Sequence, residues 1–371
     1  MEQKKINIGI VGLGFGKEFI NIYKLHPNVG KVAICARTKS KVEAAAAEHG
    51  IPAELCYTSI EDMLKNDDLD AIHLATDIPD HYKHTMMCLK AGKHTACAVP
   101  MGMTIQECAD IVNESQKQNK IYMMLETHLF TREFLYVKKL VDEGKFGKLQ
   151  FLRSDHMQNM TLPGWPDYWL GYPPFLYGTH ALAPAFEIIG KQPLSVVCHG
   201  SGAIKKERQS RYHCPFAAES ATFFFEDTDV ILESTRWLYD TIRQCREAFD
   251  VYGSKMSFEW QMTEDSGHVV YTNLEDAEVV DCPDTGYLLP PEIGKLANRE
   301  AVEDKTHQSF IQGGGHSGSH PHTGNDFVQA IVNGTQPKSD AIHSAKYTVA
   351  GICAQQSAMR DGERIYIPRF D

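Results

Sequence analysis

The sequence predicts two domains of different build. Residues 1–126 should form an α/β domain with a doubly wound parallel sheet, and residues 127–371 an α+β domain on a large, mainly antiparallel open sheet. Three observations carry this prediction. Short apolar runs of β-formers alternate with helical patterns from Ile6 to Leu125, the βαβ rhythm of a parallel sheet. That rhythm then gives way to β-type segments joined by tight turns, as in antiparallel sheets with one buried face. The first strand, finally, breaks straight into glycines before a helix can begin. A chain of 371 residues is long enough to bury two such cores.

In the first domain the predicted strands are Ile6–Val11, Val32–Ala36, Asp70–Ala75, His94–Ala98 and Ile121–Leu125. The helical patterns between them cover Phe19–Leu25, the Ala-rich Lys41–His49, Tyr82–Ala91 and Ile105–Gln118. Right-handed crossovers place those helices on both faces of the sheet. A helix over Glu133–Glu143 opens the second domain. Predicted strands follow at Leu149–His156, Leu194–Gly200, Ser220–Glu226, Val230–Trp237, Ala248–Tyr252 and Lys255–Trp260. Asp227-Thr228-Asp229 joins two of these as a hairpin turn. Helices around Asn325–Val332 and Ala345–Met359 close the chain, the last of them free to pack back on the first domain.

Composition narrows the function. Hydrophobic content of 43% and charged content of 23% are those of an ordinary globular protein. A net charge of −11 argues against a nucleic-acid or anionic-membrane partner, since both need basic patches. The one basic cluster, Lys205-Lys206-Glu207-Arg208, is short and reads as a solvated loop. Ten scattered cysteines without a C-x-x-C pair suit free thiols in a reducing compartment. The polar N-terminus runs straight into the first strand, and no apolar run spans a bilayer. A cytoplasmic location is expected, and the open sheet predicts a homo-oligomer.

The segment Gly12-Leu13-Gly14-Phe15-Gly16 after the first strand is built like a turn that holds the pyrophosphate of a dinucleotide. Gly12 permits the tight turn, Gly14 lets backbone approach phosphate, and the following helix offers free N–H groups and a positive dipole end. The fit to G-x-G-x-x-G is imperfect: Lys17 holds the third position and the last glycine comes one place early, at Gly16. At the end of the second strand Ala36 stands where an acidic residue would bind the ribose of NAD. Arg37 beside it could meet a 2′-phosphate, so the choice between NAD and NADP stays open.

Further pieces extend the pattern: Leu74-Ala75-Thr76 followed by Pro79 and His81, Ala91-Gly92-Lys93-His94 leading to Pro100-Met101, Glu143-Gly144-Lys145-Phe146-Gly147-Lys148, and Val251-Tyr252-Gly253-Ser254-Lys255. Together they resemble the Gfo/Idh/MocA family of sugar and polyol oxidoreductases over essentially the whole chain. The resemblance implies a cofactor site that also uses Thr76, His81, Pro100 and Glu126. Gly164-Trp165-Pro166, Tyr172-Pro173-Pro174, Thr179-His180 and Gly313-Gly314-Gly315-His316 are similar to a subgroup with members that oxidise the C3 hydroxyl of glucose in glycosides. Two departures stand out. Val99 occupies the place of the family's proton-handling lysine, and Leu176 that of an aspartate four residues before the catalytic histidine. His180 remains.

Oxidising a secondary alcohol needs a hydride acceptor above the C–H and a base within reach of the O–H. His180 is the expected base, with Tyr177, His156 or Glu126 as helpers; the competing reading is a structural histidine capping a helix. Trp165, Trp169 and Tyr172 lie in a Pro/Gly-rich stretch and could wall a sugar site; the competing reading is a plug of core aromatics. The segment Gly313–His322 reads as a flexible loop whose His316, His320 and His322, with Asn325 just beyond, donate hydrogen bonds to sugar hydroxyls. No metal site is expected there. The favoured function is NAD(P)-dependent oxidation of a sugar or glycoside, at C3 of a glucosyl unit. Transient oxidation followed by elimination of the aglycone is a second possibility. A non-catalytic sugar- or nucleotide-binding subunit, suggested by Val99 and Leu176, is a third.

Overall fold

A run of apolar β-formers with two fully buried isoleucines, Ile8 and Ile10, makes β1 (Ile6–Val11) the centre of a parallel sheet. In this computed structural model, which describes residues 4–243, 246–263, 266–298 and 316–370, the sheet continues with β2 (Val29–Cys35), β3 (Cys56–Tyr57), β4 (Ala71–Leu74), β5 (His94–Cys97) and β6 (Tyr122–Met124). The strand order β3-β2-β1-β4-β5-β6 reverses direction at β1, which leaves a crevice at the carboxyl ends of β1 and β4. The crossovers are α1 (Glu18–Leu25), α2 (Lys39–His49), α3 (Ile60–Leu64), α4 (His81–Lys90) and α5 (Ile105–Gln118). Local chemistry sets several of their ends. At the start of α5, Thr104 Oγ1 accepts from the Glu107 N–H at 3.1 Å while Glu107 Oε2 accepts from the Thr104 N–H at 3.2 Å.

The described residues divide into two compact units. The first takes those of Met1–Thr127, Asp284–Glu303 and Gly318–Ala345; the second those of His128–Pro283, Asp304–Ser317 and Lys346–Asp371. Two segments assigned from sequence to the second domain thus pack with the first. One is the helix Gly318–Asn333, which lies against α1. The sequence pattern starts that helix only at Asn325, because glycine and Pro321 disguise its beginning. Proline is tolerated in a first turn, where N–H groups have no helical partner. Gly318 has φ +80°, and a Cβ there would lie 2.2 Å from the Ala297 carbonyl oxygen.

The second unit is built on a nine-stranded sheet. Its strands are β7 (Leu149–Met157), β8 (Pro193–Ala203), β9 (Phe216–Phe225), β10 (Ile231–Trp237), β11 (Arg246–Gly253), β12 (Ser257–Glu259), β13 (His268–Tyr271), β14 (Ala277–Val280) and β15 (Ile365–Tyr366). They lie in the order β14-β13-β12-β11-β7-β10-β9-β8-β15, antiparallel except for the β7–β10 pair. Asp227-Thr228-Asp229 makes the β9–β10 hairpin as predicted. The short strands β3, β13, β14 and β15 escape a reading by periodicity. Helices α6 (Arg132–Asp142) and α7 (Thr179–Ile189) pack against each other, and α7 covers β7, β10 and β11. Alternation then decides what faces it: Leu152, Ser154 and His156 of β7 are fully buried, whereas Arg153 between them is exposed and Phe151 and Asp155 are partly so. Among the described residues no helix is long and apolar enough to cross a membrane.

Candidate active site

In the first unit the glycine turn after β1 is tightly packed at its two ends and open in the middle. Gly12 sits at φ +94°, and a Cβ there would lie 2.2 Å from the Ala75 carbonyl oxygen, so only glycine fits. Gly14 is exposed, and a Cβ on it would meet nothing within 4 Å: its approach is open. At Gly16 a Cβ would come within 3.0 Å of Ile10 and 3.1 Å of Ala75, so this glycine lets the helical turn close onto the strands. The early third glycine is thus the packing glycine of the motif, and a single 3-10 turn, Phe15–Lys17, absorbs the shift before α1. The N–H groups at this start suit a dinucleotide pyrophosphate. Phe15 points its ring at Phe19 and His320, with centroids 5.5 and 5.2 Å away.

The other cofactor candidates stand beyond the carboxyl ends of neighbouring parallel strands: Arg37 after β2, Thr76 and His81 after β4, Pro100 after β5 and Glu126 after β6. His81 is buried with both ring nitrogens committed, Nε2 to the Thr76 carbonyl at 2.9 Å and Nδ1 to the Pro100 carbonyl at 2.8 Å. Expected as a cofactor contact, it instead ties two strand-end loops together. Burial works against its charge, but the neighbouring Cys97 and the two carbonyls prevail and raise its pKa to about 9. Arg37 is 87% exposed and pairs with Asp77 at 3.3 Å. Glu126 is fully buried.

His320, His322 and Asn325 also belong to this unit, and the structure corrects the flexible loop expected for the two histidines. All three lie in the helix Gly318–Asn333, held by side chains of the unit itself. His320 Nδ1 is 3.1 Å from Glu18 Oε2, His322 Nε2 is 2.8 Å from Thr285 Oγ1, and Asn325 Oδ1 is 3.1 Å from His26 Nε2. Residues 313–315 of the same predicted loop lie outside the described residues.

The second unit brings His156, Tyr177, His180 and His316 together. His156 occupies an inward position of β7, directly opposite Glu247 of β11 on one side and Arg236 of β10 on the other. This is a row of charge-bearing side chains across three adjacent strands, all buried. Glu247 Oε1 lies 3.4 Å from His156 Nε2 and its Oε2 3.4 Å from His316 Nδ1. His180, the second residue of α7, has its ring 5.2 Å from that of His156 and 5.7 Å from that of His316. Its Nε2 is 3.4 Å from Tyr177 Oη, and its backbone carbonyl accepts from His128 Nδ1 at 2.6 Å. Among the described residues no group of three or more His, Cys, Asp or Glu side chains is arranged to hold a metal ion.

The charges in the cluster are settled by their neighbours. Burial pushes the Glu247 carboxyl up, but the neighbouring His316, which also hydrogen-bonds it, and His180 more than offset this and hold it well below the usual carboxylate range. Burial and the Arg236 guanidinium drive His156 well below the ordinary imidazole value, despite Glu247. Arg236 falls only to about 10, through burial, and so keeps its charge at neutral pH. The arrangement is a fixed anion among imidazoles, one of them forced neutral. An imidazole that gains a proton here does so beside a carboxylate.

The aromatic stretch is corrected in part. Trp169 and Tyr172, expected as a substrate wall, are 5% and 0% exposed. Trp169 packs on Tyr177 and Tyr172 with centroids 4.9 and 5.4 Å away. Tyr239 donates to the backbone carbonyl of Trp169 and, at 2.9 Å, to that of Tyr172. They form an aromatic support behind Tyr177, and only Trp165 of the three is partly exposed. Sequence reasoning missed Glu247 and Arg236. The available signal was a charge at an inward position of an otherwise alternating strand.

Comparison with known proteins bears on both units. Residues 6–126 match the profile of the GFO_IDH_MocA family, described as "Oxidoreductase family, NAD-binding Rossmann fold". Over that segment the chain is similar to the Gfo/Idh/MocA oxidoreductases. Among curated relatives, "Glycosyl hydrolase family 109 protein 1" of Bacteroides thetaiotaomicron is 27% identical over 200 residues, 50% of this chain and 43% of its own length. "Inositol 2-dehydrogenase/D-chiro-inositol 3-dehydrogenase" of Lactiplantibacillus plantarum is 29% identical over 161 residues, 42% of this chain and 45% of that protein. The chain thus matches less than half the length of either relative. The fold extends further than the sequence match. A levoglucosan dehydrogenase in complex with NADH and levoglucosan superposes with a TM-score of 0.78 at 17% identity, covering 99% of this chain and 100% of that one.

Proposed function

We propose that this protein is a Gfo/Idh/MocA-type, NAD-dependent oxidoreductase that oxidises a secondary hydroxyl of a sugar or glycoside, C3 of a glucosyl unit being the favoured position. The observation that carries the proposal is the buried His180–His156–Glu247–His316 cluster, on the same chain as a glycine turn of dinucleotide-binding geometry. Gly12, Gly14 and Gly16 would hold the cofactor's pyrophosphate against the start of α1. Once bound, NAD supplies the acceptor for the hydride that leaves the carbinol carbon. The chain's own part is the proton. His180 takes it from the hydroxyl, directly or through the Tyr177 phenol, and the imidazolium so formed is stabilised by the Glu247 anion. The family resemblance places an aspartate where Leu176 stands; here the nearby carboxylate is Glu247 of β11, which stands against His156 and His316, the two imidazoles whose rings neighbour His180. NAD is favoured over NADP because the family profile matched by residues 6–126 is described as NAD-binding.

The test is a spectrophotometric screen. The protein is loaded separately with NAD and NADP and offered glucosides, free sugars and inositols. Reduction with glucosides and NAD, lost in His180→Ala, is the expected result. A response to inositols alone would overturn the glucoside assignment, and proven cofactor binding without any reduction would overturn the oxidoreductase. A second reading is favoured by the glycosyl hydrolase name of one relative. Oxidation at C3 acidifies the neighbouring C2–H, so the aglycone can leave by elimination; water then adds and re-reduction completes a net hydrolysis. Free sugar released with no net change in nicotinamide would identify that route.

A further inference from the structure

The row of charge-bearing side chains on the inner face of the second sheet continues past Arg236. The residue directly opposite Arg236 on β9 is Glu219, and both are fully buried. Instead of meeting each other across the strands, the two reach the same stretch of backbone. Glu219 Oε2 accepts from the Phe175 N–H at 2.8 Å, and Arg236 Nε donates to the Tyr177 carbonyl at 2.7 Å. These are the two ends of the short helical turn Pro174–Tyr177, which leads through Gly178 into Thr179 and His180. A helical turn leaves its first N–H and last C=O without partners, and inside a protein each must find one. Here the sheet supplies both.

Each clamp is itself held. Arg236 donates from Nη1 to the His156 carbonyl at 3.0 Å and to the Trp237 carbonyl, and from Nη2 to Gln158 Oε1 at 2.6 Å; its guanidinium carbon lies 5.2 Å from the centre of the Tyr177 ring. On the other strand, the Gln355 side-chain amide, oriented with its nitrogen inward, donates to Glu219 Oε2 at 3.1 Å. A buried guanidinium and a buried carboxyl, spent on one turn, are an expensive way to hold a loop that needs only to be covered.

We propose that Glu219 and Arg236 are positioning residues that fix the two ends of the Pro174–Tyr177 turn and so set the Tyr177–His180 pair against the substrate hydroxyl. Neither is placed to touch substrate. The role rests on the reading of His180 as the base, and it makes a prediction that does not need turnover. Backbone amide exchange is measured over the peptide spanning Phe175 to Leu182 in the wild-type protein and in Glu219→Leu, Glu219→Gln and Arg236→Lys, alongside kcat and KM with the best glucoside. Glu219→Leu should speed exchange in that peptide about tenfold while β8 keeps its protection, and lower kcat about 10- to 100-fold with little change in the KM for NAD. Glu219→Gln, which keeps an acceptor for the Phe175 N–H, should restore both. Arg236→Lys, whose ammonium cannot fork to these acceptors, should loosen the turn even if Glu219→Leu fails to fold. Unchanged exchange in Glu219→Leu or Arg236→Lys, acceleration spread evenly over the sheet, or failure of Glu219→Gln to rescue would overturn the proposal. If the wild-type protein turns over no substrate, the oxidoreductase reading fails while the exchange data still decide the clamp.

Discussion

The glycine turn of the first unit and the histidine–carboxylate cluster of the second solve the same problem, holding polar groups at fixed positions, in opposite ways. The turn is local. Gly12, Gly14 and Gly16 act within five residues through backbone geometry: Gly12 and Gly16 sit too close to Ala75 and Ile10 for a side chain, and Gly14 leaves the approach open. The cluster is assembled from distant parts: His156 on β7, Tyr177 and His180 at the start of α7, Glu247 on β11, and His316. Its members meet through sheet register and are tuned by burial and by one another's charge. A local site can be broken by a methyl group. A dispersed one is broken by removing a charge.

The largest effect should come from the cluster. His180→Ala is expected to lower kcat about 10²- to 10⁴-fold, the range for loss of a general base, while the Kd for NAD measured by calorimetry stays unchanged. Glu247→Gln should follow the same pattern with a smaller loss, because the base survives without its anion. If either variant instead abolished NAD binding, the separation of the two sites' roles would be wrong.

Next come the glycines, which sharpen the local side of the contrast. Gly12→Ala combines φ +94° with a Cβ 2.2 Å from a carbonyl oxygen. It should cost about 2–4 kcal/mol of stability and remove NAD binding. Gly14→Ala meets no protein atom within 4 Å, so Tm should hold while NAD affinity falls about tenfold, its methyl standing where phosphate approaches. Thermal melts with and without NAD separate the two.

Stability should also depend on pH with opposite signs. In the first unit His73 is fully buried, with Nδ1 2.9 Å from Tyr23 Oη, and is lowered by burial from 6.5 to about 3. The unfolded chain therefore binds the extra proton, and stability present above pH 6.5 is lost as pH falls towards 3. In the second unit Glu219 is raised by burial, against its bond from Phe175, to about 8. The folded state then holds the extra proton, and stability declines as pH rises from 4.5 to about 8. His156 and Glu247 add acid sensitivity to this unit, since both are lowered. His73→Asn should flatten the acid limb of a stability profile, and Glu219→Gln the alkaline limb, each by about 1–3 kcal/mol. The smallest effect belongs to Arg37→Ala. Its exposed pair with Asp77 should contribute under about 1 kcal/mol, with the Kd for NAD nearly unmoved.

The same contrast explains what was legible in the sequence. The parallel sheet, the glycine turn and the β9–β10 hairpin follow from periodicity and turn chemistry, which are local. His180 and His316 could be singled out by type and by family resemblance, but Glu247, which pairs with His316 and His156, could not, because register between non-adjacent strands is invisible along the chain. Glu247, Arg236 and Glu219 looked like ordinary strand charges until the sheet showed that they point inward. The Gly313–His322 stretch misled in the other direction. Its glycines suggested a loop, whereas Gly318 allows close contact with Ala297 and starts a helix.

The central claim is that hydride leaves a sugar carbon while His180 takes the hydroxyl proton. The most direct measurement offers the NAD-loaded protein a glucoside deuterated at C3 and examines the reduced nicotinamide by mass spectrometry. Deuterium in the nicotinamide of the wild-type protein, and none with His180→Ala at equal NAD occupancy, is the predicted result. Reduced nicotinamide without deuterium would place the oxidation at another carbon, and no reduction at full NAD occupancy would contradict the account.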